Sequence, residues 1–147
     1  MSIVPFQPAH ADGFRSLVAD TLREFEFEPD PELDRDLDDP AAAYAVLWVV
    51  LDQGQVVGSV ALQDLGDGAV LLKRMYLRPG QRGRGLGREL LALALDWARM
   101  HEMNVVRLDT SERMVAAQRL YEANGFERVA DDASRQGQCR LLYELRL

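Results

Sequence analysis

The chain has 147 residues, of which 48% are hydrophobic and 28% charged, and its formal net charge is −7. This length corresponds to about one average domain, and the composition lies outside the low-hydrophobicity, high-charge class of disordered chains. No apolar run approaches the roughly 20 residues of a membrane-spanning helix, and the first residues lack a signal-peptide pattern. We therefore expect one folded domain over residues 1–147, in the cytoplasm and without a membrane partner.

The metal-binding and disulfide chemistry of the chain is restricted by its few candidate ligands. Cys139 is the single cysteine, which excludes an internal disulfide, and the two histidines, His10 and His101, lie far from it in sequence. This set does not resemble a zinc-ligand pattern, so no metal is expected. An acidic balance also argues against a nucleic-acid partner, because phosphate neutralisation needs a basic face.

The negative charge is concentrated in one acidic segment. Nine of the 24 carboxylates fall between Glu24 and Asp39, where Arg35 is the single base. The proline- and aspartate-rich composition predicts a surface loop from 26 to 40, with at most a short helix near 32–37.

The first half of the chain predicts a strand, a helix and three further strands. Apolar residues from Ile3 to Phe6 indicate the first strand, and apolar residues at helical spacing from His10 to Glu24 indicate the helix. Apolar, β-branched runs separated by glycine-containing turns then predict three consecutive antiparallel strands, at 44–51, 56–65 and 69–77.

The second half changes character at a glycine-rich stretch that opens an amphipathic helix over 88–100. A buried strand at 105–108 and a second helix from Met114 to Asn124 follow, with Ser111 as the expected N-cap. One or two strands complete the chain after Phe126. The order βα(α)βββαβαββ predicts a single α+β domain.

The glycine-rich stretch is the first sign of chemistry, because a glycine-rich turn at a helix start presents backbone N–H groups and a positive dipole end to an anion. Lys73 is the chain's only lysine, so the stretch lacks the Walker lysine, and its G-x-G-x-G spacing differs from the Rossmann fingerprint. A nucleotide-binding protein and a merely solvated arginine surface remain alternatives. The residues concerned are Arg82, Gly83, Arg84, Gly85, Leu86 and Gly87, with Arg88 just inside the helix.

Three motifs together resemble the GNAT acyltransferase superfamily. Residues 82–87 read RGRGLG and fit the family's acetyl-CoA loop, the preceding residues 72–79 read LKRMYLRP and look like its fourth strand, and residues 117–126 read AQRLYEANGF and look like its helix ending. The resemblance implies an α+β single-domain fold. Its central sheet would be mixed, mostly antiparallel, with about six to seven strands, splayed between the fourth and fifth strands and flanked by about four helices.

The resemblance also implies acetyl-CoA (coenzyme A) as co-substrate and no metal. By position, the loop from Arg82 to Gly87, with Arg88, would bind the pyrophosphate, and backbone groups of Met75, Tyr76 and Leu77 would pair with the pantetheine arm. The two implied catalytic residues are Met75, whose N–H would face the thioester carbonyl, and Tyr121, which would protonate the leaving thiolate. A core aromatic is the alternative role for Tyr121.

Two positions depart from the family pattern. Met114 stands where many members have an asparagine that contacts CoA, and Leu71 stands where histone-type members place a glutamate base. Because an amine must lose its proton before attack, the base lies elsewhere or is replaced by a water chain. The candidates are Asp109, Glu24, Glu26 and Glu28.

The resemblance implies that the acidic segment, which lies between the first helix and the second strand, forms one wall of the acceptor site. Its carboxylates would attract a cationic acceptor, so we expect direct acetyl transfer to a primary amine of a cationic small molecule or a peptide. A flexible, solubilising loop is the alternative for the segment. A non-catalytic GNAT-fold module that binds acyl-CoA is the alternative for the protein, which is expected to be a monomer or homodimer.

Overall fold

The computed structural model describes the backbone of residues 1–135 and 138–147 and the side chains outside 130–139, so the side chain of Cys139 lies outside the described part. The seven strands are β1 Ser2–Pro5, β2 Val46–Asp52, β3 Gln55–Gly66, β4 Ala69–Leu77, β5 Val105–Ser111, β6 Glu127–Arg135 and β7 Gln138–Arg146. The four α-helices are α1 Ala11–Glu24, α2 Pro40–Ala43, α3 Leu86–Met100 and α4 Val115–Ala123. Short 3-10 turns lie at Pro8–His10, Arg35–Leu37 and Pro79–Gln81.

All seven strands form one mixed sheet in the order β1-β2-β3-β4-β5-β7-β6. The pair β4 and β5 is parallel, and the other described pairs are antiparallel. A parallel pair needs a crossover connection, which α3 provides here. The predicted α+β class, the order of elements and the meander of three central strands are confirmed.

Two hydrophobic layers hold the helices against the two faces of the sheet. On β2, Val49 packs in a cluster with Phe14 of α1, and its neighbour Val50 packs in a cluster with Leu90 of α3. All four side chains are fully buried. Alternation of side chains along a strand thus supplies both layers, and each such side chain stabilises the fold by about 1.5–3 kcal/mol.

The sheet opens between β4 and β5. Their pairing runs from Ala69 opposite Val105 to Leu72 opposite Leu108 and stops there, although β4 continues to Leu77 and β5 to Ser111. Backbone groups beyond this point are not used by the neighbouring strand. The predicted splay between the fourth and fifth strands is confirmed.

A β-bulge interrupts β4 at the same level. Ala61 of β3 pairs with Lys73, whereas Ser59 pairs with Tyr76, so three steps on β4 correspond to two steps on β3. Arg74 lies inside the bulge with a φ of 52°, the left-handed region that L-residues rarely adopt. The Ser59 hydroxyl donates to the Arg74 carbonyl at 2.6 Å and fixes the bulge from the neighbouring strand.

The expected N-cap of the last helix is wrong. Ser111 is the final residue of β5, where it pairs with Arg140 of β7, and α4 starts at Val115 with Met114 at the N-cap. Pairing with β7 extends the strand past the point where its apolar pattern ends. The Ser111 hydroxyl instead accepts the Arg113 N–H at 3.1 Å and orders the turn before the helix.

The expectation that the acidic segment lies at the surface is wrong in part. A short helical turn is present at Arg35–Leu37, as predicted, but Asp34 and Phe27 are only 5% and 4% exposed. Asp34 is buried because its partner, Arg74, comes from a strand forty residues away, a relationship that local composition does not contain. Among the described residues, no helix is long and apolar enough to cross a membrane.

Candidate active site

The glycine-rich loop places the start of α3 near the splay between β4 and β5. Gly83 and Gly85 adopt φ angles of 78° and 84°, and Gly85 is the N-cap of α3. Intrahelical bonding begins when Glu89 N–H donates to Gly85 at 3.1 Å. The preceding amides have no acceptor within the helix, so they and the helix dipole can bind an anion.

A groove of about 510 Å³, here called the loop groove, runs from this loop to the splay. It includes most of the residues predicted to bind the cofactor. Arg84 and Leu86 are not among the described lining residues: Leu86 is buried in the core and Arg84 is exposed. The predicted residues that line the groove are Met75, Tyr76, Leu77, Arg82, Gly83, Gly85, Gly87, Arg88 and Tyr121.

The guanidinium of Arg82 is paired with α1 rather than left open to the groove. It donates to Glu24 at 2.8 Å, and its Nε donates to the Leu77 carbonyl at 3.0 Å. Its Cζ lies 5.6 Å from the ring centroid of Phe25. Arg82 therefore joins the anion-binding loop to the C-terminal end of α1.

A second, smaller cavity of about 150 Å³, here called the inner cavity, lies deeper in the splay. Strands β4 and β5 form its floor, and the segment after α1 forms one wall. That segment contributes two apolar side chains, Phe27 and Leu33, and none of its nine carboxylates is among the described lining residues. The charged lining residues are Lys73, Arg74, Asp109 and Arg140.

The loop groove and the inner cavity share five lining residues: Met75, Tyr76, Met114, Ala117 and Tyr121. These residues, here called the junction, come from β4 and from the start and body of α4. A substrate in the groove and another in the cavity would meet at this point.

Tyr121 is both a core residue and a junction residue. Its ring packs against Phe126 and Tyr143, with centroids 5.8 and 6.3 Å apart, and the residue is 5% exposed. Burial raises the pKa of its hydroxyl, and the nearby Tyr76 and Asp109 raise it further. Among the described residues, no hydrogen-bond partner takes this hydroxyl, so at neutral pH it is protonated and available.

Met75 lies next to the bulge and is positioned by it. The β3–β4 register gives Met75 no cross-strand partner in the described sheet, and the β4–β5 pairing has ended three residues earlier, at Leu72. A backbone N–H that has no cross-strand partner can donate a hydrogen bond to a ligand. It lies on the strand that lines both the groove and the cavity.

The candidate bases are separated by the structure. Asp109 lines the inner cavity, whereas Glu24 lines the loop groove and Glu26 is exposed and ion-paired with Arg113 at 3.3 Å. Leu71 is not among the residues described as lining the cavity. Asp109 is therefore the candidate carboxylate placed beside the junction.

Three charged cavity residues were missed by the sequence analysis: Lys73, Arg74 and Arg140. Lys73 and Arg74 are consecutive charges inside an otherwise apolar strand. Charged side chains are almost never buried unless they are paired, so this pair was the signal available. No comparable signal marks Arg140, whose place depends on the pairing of β7 with β5.

A parallel pair that splays beside a loop able to bind an anion is the arrangement that the resemblance implies for the class of acyl-CoA-dependent acyltransferases. Residues 12–126 match the family model described as "Acetyltransferase (GNAT) family". The chain belongs to this family, as its three motifs predict.

Relatives and solved structures agree with this assignment. An uncharacterized N-acetyltransferase of Schizosaccharomyces pombe is 31% identical over 127 residues, covering 82% of this chain and 78% of the relative. N-acetylaspartate synthetase of Danio rerio is 39% identical over 85 residues, or 57% of this chain, which spans only 30% of that relative. A protein of Salmonella typhimurium, described as an acetyltransferase and solved with its cofactor acetyl-CoA, shares the fold with a TM-score of 0.79 at 19% identity, covering 99% and 93% of the two chains.

Proposed function

We propose that the protein transfers an acetyl group from acetyl-CoA directly to the primary amine of a small molecule. The observation that carries the proposal is the junction, where the loop groove and the inner cavity share Met75, Tyr76, Met114, Ala117 and Tyr121. An acyl donor in the groove and an amine in the cavity would bring their reacting atoms together there. Such positioning removes much of the entropic barrier to a bimolecular reaction.

The loop groove fits acetyl-CoA. The amides at the start of α3 suit a pyrophosphate, and the open backbone of β4 suits the amide groups of a pantetheine arm. The fold is shared with a protein solved with its cofactor acetyl-CoA. When bound, acetyl-CoA supplies the acetyl group as a thioester.

Met75 acts through its backbone. Its N–H donates to the carbonyl oxygen of the acetyl group, where negative charge develops as the amine nitrogen attacks. A preorganised donor of this kind contributes about 3–4 kcal/mol to catalysis where it has been removed in other enzymes.

Tyr121 acts as the general acid. As the new C–N bond forms and the C–S bond breaks, its hydroxyl gives a proton to the leaving sulfur and regains one from solvent. The raised pKa of Tyr121 keeps its hydroxyl protonated at neutral pH, so the proton donor is present when the sulfur leaves.

Asp109 acts as the base in the inner cavity. It takes a proton from the incoming ammonium group, so that the free amine attacks, and it takes the second proton from the nitrogen as the amide forms; both protons pass to solvent. Its ion pair with Arg140 engages one carboxylate oxygen, and a carboxylate retains further acceptor sites.

The charges of the inner cavity do not favour the cationic acceptor that the acidic segment predicts. Two of the segment's carboxylates, Asp34 and Asp36, bind Arg74, and Glu24 binds Arg82. The residues of this segment that line the cavity, Phe27 and Leu33, are apolar. The proposed function therefore leaves the acceptor as a small primary amine.

The test measures free thiol release from acetyl-CoA against a panel of amines: polyamines, amino sugars, lysine peptides, and amino acids including aspartate. Release that depends on one amine supports the proposal. Binding is measured separately, because a ligand at 100 times its Kd stabilises a protein by about 2.7 kcal/mol. Stabilisation by CoA with no release from any amine would favour a non-catalytic acyl-CoA-binding module, and stabilisation by ATP alone would contradict the CoA assignment.

A further inference from the structure

The inner cavity carries more positive than negative charge on its surface. Of its four charged lining residues, Arg74 is already paired with Asp34 and Asp36, at 3.0 and 2.8 Å. Arg140 is paired with Asp109, which leaves Lys73 as the lining cation whose ion pair is longest. A cation that makes no hydrogen bond in a partly buried cavity favours an anionic ligand group.

Lys73 is the cation with the most unused bonding capacity. Its ammonium lies 3.9 Å from the nearest carboxylate oxygen, Oδ2 of Asp36, too far for a hydrogen bond. That oxygen already accepts from Arg74 at 2.9 Å and from the Tyr44 hydroxyl. Among the described residues, the three N–H donors of Lys73 have no acceptor, although only 27% of its side chain is exposed.

The desolvated state of Lys73 supports the same conclusion. Burial lowers the pKa of its ammonium, the Asp36 carboxylate raises it, and the Arg74 guanidinium lowers it further. Burial is costly for an ammonium group that makes no hydrogen bond. A ligand carboxylate at this position would remove that cost.

The choice of residue type at this position is informative. Sixteen of the chain's 17 basic residues are arginine, and Lys73 is the exception. The ammonium of lysine is a compact point charge, whereas the guanidinium of arginine is a wider, planar fork. At the floor of a cavity of about 150 Å³, the smaller head group leaves room for a ligand.

We propose that the acceptor is a small aliphatic amine that carries a carboxylate, and that Lys73 binds this carboxylate. The Asp109 carboxylate, which is paired with Arg140 through one oxygen, receives the ammonium end of the ligand. The inference rests on the proposed function, whose amine it specifies. The cavity has a volume of about 150 Å³. An engineered protein cavity of this volume binds benzene, so we expect the acceptor to be an amino acid of about the size of benzene.

The first experiment compares amines that differ in the carboxylate. β-Alanine and 3-amino-1-propanol have the same chain length and a primary amine, and they are assayed by thiol release at saturating acetyl-CoA. We expect kcat/KM to be at least tenfold higher for β-alanine. Equal values, or a preference for the amino alcohol or for a diamine, would overturn the inference while leaving the acetyltransferase activity established.

The second experiment changes Lys73 and a matched control. Lys73→Met is expected to lower kcat/KM for β-alanine at least tenfold, to change that for 3-amino-1-propanol less than threefold, and to leave the KM for acetyl-CoA unchanged. The control, Arg35→Met, removes a positive charge from the exposed part of the acidic segment and should change none of these values. An equal loss for both amines would show that Lys73 acts on the amine rather than on the carboxylate, against the proposal.

The third experiment needs no turnover, so it separates this inference from the proposed function. Because Lys73 is the only lysine, protein grown with 13C-labelled lysine gives one ε-CH2 signal, which requires no assignment. We expect β-alanine to shift this signal and to raise the midpoint of its pH titration, and 3-amino-1-propanol to do neither. A shift without acetyl transfer would retain the carboxylate site and reject the activity. No shift by any carboxylate-bearing amine, in the presence of CoA, would reject the site.

Discussion

Arg74 binds both carboxylate oxygens of Asp36, with Nε donating to Oδ2 at 2.9 Å and Nη2 donating to Oδ1 at 2.8 Å. The same Arg74 lies in the β4 bulge with a φ of 52°. A non-glycine residue in this conformation costs about 1 kcal/mol or more, and persists where its surroundings hold it. The Arg74–Asp36 pair therefore connects the acidic segment to the β4 bulge, which positions Met75.

Weakening this bulge is expected to slow catalysis without weakening acetyl-CoA binding. Ser59→Ala removes the 2.6 Å hydrogen bond to the Arg74 carbonyl and should cost about 1 kcal/mol of stability. If the bulge positions the Met75 N–H, kcat falls several-fold while the KM for acetyl-CoA stays within twofold.

Two comparisons complete the bulge experiment. Arg74→Met removes the pair itself and should destabilise by about 3–5 kcal/mol, because the buried carboxylates of Asp34 and Asp36 lose their nearest cation. Ser2→Ala, at the exposed start of β1, is the neutral control. A rise in KM with unchanged kcat for Ser59→Ala would mean that the bulge contributes to binding alone.

The Arg74–Asp36 pair also predicts how stability depends on pH. Burial raises the pKa of Asp36, but hydrogen bonds and the charge of Arg74 outweigh this and lower it from 3.8 to about 2. Since the folded-state pKa lies below the unfolded value, the unfolded chain takes up the proton first as pH falls. The contribution of Asp36, about 2 kcal/mol, is complete above about pH 4 and is lost as pH falls towards 2.

The measurement is urea denaturation of the wild type and of Asp36→Asn between about pH 5 and pH 2.5. The variant should be less stable at pH 5, and the difference between the two proteins should shrink as the pH falls. A difference that stays constant across this range would contradict a lowered pKa for Asp36.

The strands were predictable because their apolar runs are local. The bounds of β4, 69 to 77, were obtained from the sequence, and the anion-binding loop was found from glycine spacing. Both signals reside in fewer than ten consecutive residues. Periodicity and turn chemistry act over that range, which is why these elements were correct.

The inner cavity was not predictable because its charges are brought together from distant segments. Lys73, Asp109 and Arg140 lie on three strands, β4, β5 and β7, and the pairing of those strands decides which charges meet. The same reason explains why Asp34 was expected at the surface: its partner is forty positions away. The number of carboxylates predicts the charge of the segment, but it does not predict which cations those carboxylates bind.

Tyr121→Phe is expected to lower kcat by about 10²-fold, in line with the loss of a general acid. The ring still packs against Phe126 and Tyr143, and no described partner loses a hydrogen bond, so the Tm and the Kd for CoA should hardly change. Tyr76→Phe is the comparison at the junction: it should lower kcat far less, because the Tyr76 hydroxyl only helps to raise the pKa of Tyr121. Turnover by Tyr121→Phe equal to that of Tyr76→Phe would make Tyr121 a core residue only.

Glu24→Gln is expected to strengthen CoA binding. Glu24 lines the loop groove and holds Arg82 at 2.8 Å, so its charge both repels phosphate and occupies a guanidinium that could bind it. Removing one such charge is worth about 1 kcal/mol, which corresponds to a Kd about fivefold lower. Calorimetric titration with CoA at low and high salt measures this, and the gain should diminish with salt.

The control for this effect is Glu32→Gln, in the exposed part of the same acidic segment. It removes the same charge away from the groove and should leave the Kd unchanged. If both variants bind CoA more tightly to the same degree, the effect comes from net charge and not from the Glu24–Arg82 pair.

The last prediction separates glycine's backbone role from its small size. Gly85 caps α3 with a φ of 84°, and a Cβ there would meet no atom within 4 Å. Gly80, in the 3-10 turn before the loop, also has open space for a Cβ but no positive φ. Gly85→Ala should therefore cost about 1–2 kcal/mol in stability through backbone conformation alone, whereas Gly80→Ala should be neutral or slightly stabilising.

The two alanine variants also test where the anion binds. Relief of the strained conformation would reorient the amides at the start of α3, so Gly85→Ala is expected to weaken CoA binding about tenfold or more, beyond its effect on stability. Gly80→Ala should retain the wild-type Kd. Equal CoA affinity for both variants, measured on folded protein, would place the pyrophosphate away from the start of α3 and would require a different orientation of acetyl-CoA in the loop groove.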